Sequence, residues 1–276
     1  MATSIPALGK ERLMYLEHFQ LARQPFSEHA AVTALWQDGR MAEGLARLEY
    51  LVEHGVLGLV TGPTGVGKSA LLKQFLHGLG AQHCEAVYCH LSHLPAAGML
   101  KLVVTHLGDV PRRGKDRLYE QILERAERTE GTLLLVFDEA HLLDAAALTD
   151  VRLLISSALD VRPPLKILLA GQDTLRATLR RTGHADLLNR VSVRHQLRPL
   201  AKDQTTRYID FQMTQAGGSP KTFDDSVKDL IHDFTGGVPR QINNLATACL
   251  LQATARKLPR IDDDLFQQAA QEVQLP

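Results

Sequence analysis

The eight residues Gly62-Pro63-Thr64-Gly65-Val66-Gly67-Lys68-Ser69 fit the pattern G-x-x-x-x-G-K-[ST] and lie between an apolar run, Val56 to Thr61, and a helical run, Ala70 to Leu79. A strand, a glycine-rich turn and a helix in that order make a cradle for phosphate, because backbone N–H groups and the positive end of the helix dipole converge on one point. Gly62, Gly65 and Gly67 allow the turn, while Pro63, Thr64, Val66 and the helix-opening Ala70 complete the segment. Lys68 supplies a mobile cation for the β and γ phosphates, and the Ser69 hydroxyl suits a place in a Mg²⁺ shell. A nucleoside triphosphate with Mg²⁺ is the expected ligand, and an α/β architecture the expected fold.

The rest of the chain extends that architecture. Apolar strand candidates recur at Val56 to Thr61, Glu85 to Leu91, Leu133 to Phe137, Leu165 to Ala170 and Val191 to Leu197, with helical patterns between them. Runs that are apolar on both faces, as in Leu133-Leu134-Leu135-Val136-Phe137, suit parallel strands covered by helices on either side. After Pro199 the spacing is helical throughout: Lys202 to Ala216, Asp224 to Phe234, Gln241 to Lys257 and Asp262 to Val273, broken at Gly217-Gly218, Gly236-Gly237 and Pro259. The expected organisation is an N-terminal helical segment, 1–54, an α/β nucleotide-binding domain with a five-stranded parallel sheet, 55–199, and a small helical lid, 200–276. Val32 to Val52 makes one long or two short helices.

Lys and Arg number 31, as do Asp and Glu, so a nucleic-acid interface has to be local rather than global. The strongest apolar run ends at Asp138, well short of the roughly 18 residues that a membrane span requires. Met1 to Arg12 lacks the apolar centre of a secretory signal, and three cysteines make no disulfide framework. These features point to a soluble, cytoplasmic protein with no membrane partner.

A second motif stands seventy residues beyond Lys68, where the run Leu133 to Phe137 ends in Asp138-Glu139-Ala140-His141. The strand delivers two carboxylates to the edge of the sheet where ligands bind, Asp138 for the Mg²⁺ shell and Glu139 to orient and polarise an attacking water. Glu139 also suits the N-terminus of the next helix, where a dipole favours an anion. An N-K-x-D guanine-reading segment is absent from the sequence, which favours ATP over GTP. The tetrad Asp-Glu-Ala-His occurs in helicases, but a motor of that kind needs a second α/β lobe, and only helices follow Leu197.

Taken together, these segments resemble the AAA+ ATPases, and within them the ExeA-type group of secretion ATPases and transposon-encoded ATPases. Met14-Tyr15-Leu16-Glu17-His18-Phe19 with Pro25-Phe26-Ser27 is similar to the group's opening. Ile167 to Gln172 is similar to its fourth strand and sensor-1 position, Leu188 to Arg194 to its arginine-finger region, and Gly236-Gly237-Val238-Pro239-Arg240 to its sensor-2 turn. The resemblance implies that Gln172 bonds near the γ-phosphate or the water, in place of the asparagine common there. It implies that Arg240 reports nucleotide state from the lid, although an arginine at a helix start also serves in surface salt bridges. It makes Arg190, with Arg194 second, a finger acting in trans, and hence a homo-oligomer, ring or filament, with ATP between protomers. Both arginines also suit the edge of the fifth strand.

Three further readings concern partners. Pro111-Arg112-Arg113-Gly114-Lys115-Asp116-Arg117 is the densest basic cluster, so Arg112, Arg113 and Lys115 are candidate contacts to double-stranded DNA phosphates, or else a solvated turn. His83, Cys84, Cys89, His90 and His93 hint at zinc, but strand alternation sets Cys89 and His90 on opposite faces. Short, soluble transposon ATPases are the nearest analogy, which implies a transposition regulator that assembles on DNA with ATP and recruits or activates a transposase or other transposition protein. The alternative is the cytoplasmic ATPase of a general secretion system, acting on protein partners.

Overall fold

A computed structural model describes residues 14–27, 31–79, 84–157 and 165–273. The expectations for Met1 to Arg12 and His83 lie outside the described residues. The chain divides into two compact units, one formed by Gln37–Arg198 and the other by the described residues up to Trp36 together with those from Pro199 onward.

The first unit opens with helix α1 (Gly39–His54), started by Asp38, whose carboxylate accepts the Met41 N–H at 2.9 Å. Met41, Gly44, Leu48 and Leu51 recur at helical spacing and form its buried stripe. The sheet follows: β1 (Leu57–Thr61), β2 (Cys84–His90), β3 (Thr132–Asp138), β4 (Leu165–Gly171) and β5 (Val191–Gln196), ordered β2-β3-β4-β1-β5 with every pairing parallel. Each strand lies within one residue of its expected ends. Between the strands run α2 (Lys68–Gly78), α3 (Ala96–His106), α4 (Lys115–Arg128), α5 (Ala145–Ser157), α6 (Asp173–Leu179) and α7 (Ala185–Asn189).

Strand alternation sorts the apolar residues into two cores. Leu133, Leu135 and Phe137 pack with α3 and α5 on one face, while Leu134 and Val136 pack with Leu48 and Leu51 of α1 and with Leu71, Leu72 and Phe75 of α2 on the other. All seven residues of β3 are buried, so one Leu→Ala change there costs about 2–5 kcal/mol. β4 carries a charge into the second core. Lys166 donates from Nζ to the carbonyls of Leu51, at 3.2 Å, and Val52, satisfying the orphan C=O groups at the end of α1. Burial pushes its pKa down.

The second unit contains α8 (Lys202–Gln215), α9 (Asp225–Thr235), α10 (Pro239–Ala255) and α11 (Asp263–Val273). Their apolar faces enclose Ile209, Met213, Ile231, Leu245 and Leu250, and the N-terminal Tyr15, Leu21 and Phe26 enter the same core. Phe26 meets Phe223 edge to face at 6.0 Å. Lys228 is buried but bridges Asp210 at 2.9 Å and Asp225 at 3.0 Å. The turn into α10 needs glycine at position 237: φ is +73° and a Cβ there would stand 2.0 Å from the Leu200 carbonyl oxygen. The residues expected as one N-terminal helical segment therefore contribute to both units, α1 to the sheet and Tyr15 to Phe26 to the helical core. Among the described residues no helix is long and apolar enough to cross a membrane.

Candidate active site

The register of the sheet brings the two sequence motifs to one edge. Thr61 pairs with Gly171, and Phe137 with Leu169, so the phosphate loop after β1, Gln172 after β4 and Asp138 at the end of β3 emerge side by side. This is the carboxyl edge of a parallel sheet, where open α/β folds bind ligands. The loop is anchored at its start, since the Leu197 N–H donates to the Thr61 carbonyl at 2.8 Å. A Cβ on Gly62 would stand 2.3 Å from the Leu197 oxygen, which excludes any larger residue. Val66 is buried in the second core and pins the middle of the loop. Lys68 begins α2; its Nζ donates to the carbonyls of Gly62 at 3.0 Å and Pro63 at 2.9 Å, so the ammonium is held inside the loop.

Asp138 is 0% exposed and fully hydrogen-bonded. Its Oδ2 accepts the Ser69 hydroxyl at 2.9 Å and the Tyr88 hydroxyl at 2.8 Å, and its Oδ1 accepts the Glu139 N–H at 2.9 Å. A hydroxyl and a carboxylate 2.9 Å apart at the start of α2 form a hard oxygen pair of the kind that Mg²⁺ takes alongside waters and phosphate oxygens, so Ser69 and Asp138 fit the ion. Burial, followed by the hydrogen bond to Asp138, pushes the Tyr88 phenol up and keeps it a donor.

Glu139 takes a left-handed backbone, φ 56° and ψ 33°, between β3 and the short 3₁₀ turn Ala140–Leu142. For a residue with a Cβ this conformation costs about 1–2 kcal/mol. It turns the second carboxylate away from the strand face that holds Asp138. Glu139 Oε2 lies 3.2 Å from His141 Nδ1 without hydrogen-bond geometry, and neither buried atom has a hydrogen-bond partner among the described residues. A carboxylate oxygen in this state has lone pairs open to a hydrogen bond from water.

The remaining candidates are spread more widely. Gln172 caps α6 between the loop and the carboxylates and is half-buried. Arg190 precedes β5 and so stands at the opposite edge of the sheet, as Leu57 pairs with Val191 there. Arg194 is exposed on β5 and donates to the Leu188 carbonyl at 3.2 Å. Arg240 is exposed in the first turn of α10, in the helical unit. Within the basic cluster, Arg112 makes a two-pronged pair with Glu124 at 3.1 Å and Lys115 reaches buried Asp150 at 2.7 Å, whereas Arg113 and Arg117 are exposed. Cys89 is buried, 3.4 Å from His106 Nδ1, and His90 is exposed on the other face. Sequence reasoning missed Tyr88 as a partner of Asp138. The signal was strand register: Tyr88 pairs with Val136, two residues before Asp138 on the same face.

Comparison with known proteins agrees with this geometry. Residues 52–179 match the family model described as AAA domain. The chain is 28% identical over 267 residues to General secretion pathway protein A of Aeromonas hydrophila, covering 94% of this chain and 48% of that protein. It thus spans about half the length of this curated relative. Among solved structures, Cdc6p from Pyrobaculum aerophilum superposes with a TM-score of 0.72 at 17% identity, over 90% of this chain and 70% of that one. The Aeropyrum pernix ORC1 protein, solved in complex with DNA, gives 0.69 at 18% identity, over 87% and 67%. The Thermotoga maritima RuvB Holliday junction branch migration motor gives 0.62 at 17%, over 92% and 74%. A phosphate loop and an Asp-Glu pair thus stand on adjoining ends of a five-stranded parallel sheet, and residues 52–179 of the chain match an AAA domain.

Proposed function

We propose that the chain binds ATP and Mg²⁺ at Gly62–Ala70 and hydrolyses ATP with Glu139 as the base, working as a homo-oligomer. The observation that carries this reading is the 2.9 Å contact of Ser69 with Asp138, which makes one site out of two motifs seventy residues apart. Lys68 steadies the β and γ phosphates, and Ser69 and Asp138 hold the metal. Bound Mg²⁺ supplies charge neutralisation on the phosphate oxygens. Glu139 orients the attacking water and takes its proton, and Gln172 holds the same region from β4. Arg190, at the far edge of its own sheet, serves the site of a neighbouring protomer in a ring or filament, which accounts for an arginine finger so distant from its own loop. Arg240 brings the nucleotide state to the helical lid. A supply of ATP implies a cytoplasmic location.

For the target of this work, a protein partner of the secretion-pathway kind is favoured by the relative matched along 94% of the chain. A second reading is an ATP-dependent assembly on double-stranded DNA that recruits a transposase. Exposed Arg113 and Arg117 favour it, while the ion pairs of Arg112 and Lys115 leave those two cations less able to meet phosphates. ATPase activity and sedimentation with and without duplex DNA, over a salt series, separate the two. A DNA-induced assembly that weakens steeply with salt supports the second reading. Assembly in ATP that is indifferent to DNA supports the first. A protein that neither hydrolyses ATP nor assembles with it refutes both.

A further inference from the structure

The carboxylate of Asp138 is fixed in plane by three donors, and only one of them, Tyr88, comes from outside the two nucleotide motifs. Ser69 and Tyr88 both donate to Oδ2, at 2.9 and 2.8 Å, and the Glu139 N–H holds Oδ1 at 2.9 Å. The terminal torsion of an aspartate is otherwise broad, so the donors decide where its oxygens point. Tyr88 reaches this acid from β2, the edge strand next to β3, where the residue is 38% exposed. A tyrosine so placed adds little to the core; its hydroxyl instead meets a fully buried charge.

We infer that Tyr88 is a positioning residue for the Mg²⁺ site: its hydroxyl holds the Asp138 carboxylate in the orientation that, with Ser69, receives the metal. The inference rests on reading Ser69 and Asp138 as the metal-holding pair. Tyr88 itself does not touch the nucleotide or the ion; it acts through Asp138. Groups that orient metal-holding side chains in this way are worth about 10- to 100-fold in metal affinity.

The test titrates a fluorescent ATP analogue onto the full chain, its Tyr88→Phe variant and its Lys68→Ala variant, first in EDTA and then with rising Mg²⁺. Phenylalanine keeps the ring and removes only the O–H, and a melting curve without nucleotide checks the fold. Tyr88→Phe should bind the analogue in EDTA as the parent does, need about tenfold more Mg²⁺ for the half-point of the metal-dependent change, and recover kcat at saturating Mg²⁺. In an Asp138→Asn background the same change should shift the half-point less than twofold, since the acid through which it acts is gone. A Tyr88→Phe half-point within twofold of the parent overturns the inference while leaving the site intact. A tenfold shift that persists in the Asp138→Asn background also overturns it, because the phenol then acts elsewhere. A parent whose binding ignores Mg²⁺, or a Lys68→Ala variant that binds like the parent, removes the site itself and the inference with it.

Discussion

Glu139 offers a prediction whose sign depends on one backbone angle. Its φ of 56° and ψ of 33° lie in the left-handed region, where glycine is at ease and every residue with a Cβ is strained by about 1–2 kcal/mol. In ordinary helix or strand conformation, glycine is less stable than alanine by about 0.5–1 kcal/mol. Glu139→Ala and Glu139→Gly both remove the carboxylate and its approach to His141, and both keep the backbone N–H that donates to Asp138, so those effects cancel in the comparison. What remains is the backbone, and it favours glycine by about 1 kcal/mol, a melting difference of roughly 2–4 °C for a domain of this size. Urea or thermal unfolding without nucleotide measures this difference. Both variants should lose ATP hydrolysis about a hundredfold or more, because the base is gone. The glycine variant is therefore more stable than the alanine variant while equally inactive. If alanine proves as stable as glycine or more so, the left-handed turn is not strained and the account of how the second carboxylate is aimed fails.

Other outcomes follow from neighbouring features. Lys68→Ala and Arg190→Ala should each be inactive alone but recover part of the ATPase rate when mixed, as an intact loop on one protomer meets an intact finger on the next; no recovery at any ratio contradicts the trans arrangement. Gly237→Ala combines a left-handed φ of +73° with a 2.0 Å clash against the Leu200 carbonyl, so it should destabilise the helical unit by about 3 kcal/mol or more, read from urea unfolding. His195 is buried under α1, with Nε2 unpartnered among the described residues, and burial lowers its pKa below the usual 6.5, against the pull of Glu43. The folded state then binds fewer protons than the unfolded one, so stability should fall as pH drops from about 6.5 towards the depressed folded value. In His195→Gln the dependence over that window should flatten; an unchanged pH profile would assign it to another group.

Much of the fold was legible because its signals are local. The strands were bounded by apolar runs that end at Gly62, Asp138 and Gln172, and the phosphate loop states its own geometry through Gly62, Gly67 and Lys68. The Ser69–Asp138 pair was legible as two motifs, and parallel register is what joined them. Contacts that depend on register alone escaped: Tyr88 reads as a strand residue until β2 is set beside β3, and Lys166 as an oddity in an apolar run until α1 is seen to end above it. The ion pairs of the basic cluster escaped for a related reason. Composition marks Arg112 and Lys115 as solvent charges, yet Glu124 and buried Asp150, far from them in sequence, pair with them. In the sequence His141 reads only as part of a tetrad, and its closeness to Glu139 depends on a positive φ that no pattern of residue types discloses.

The central claim, that the loop after β1 is a Mg²⁺-dependent ATP site, is tested most directly by equilibrium binding of ATP to the parent and to Lys68→Ala in the presence of Mg²⁺. Lys68 is buried within the loop with its ammonium on the carbonyls of Gly62 and Pro63, so its loss removes a cation that the fold holds there. The account predicts saturable binding by the parent and a loss of about a hundredfold or more in the variant, equivalent to roughly 3 kcal/mol. Binding by Lys68→Ala within a few-fold of the parent would contradict it.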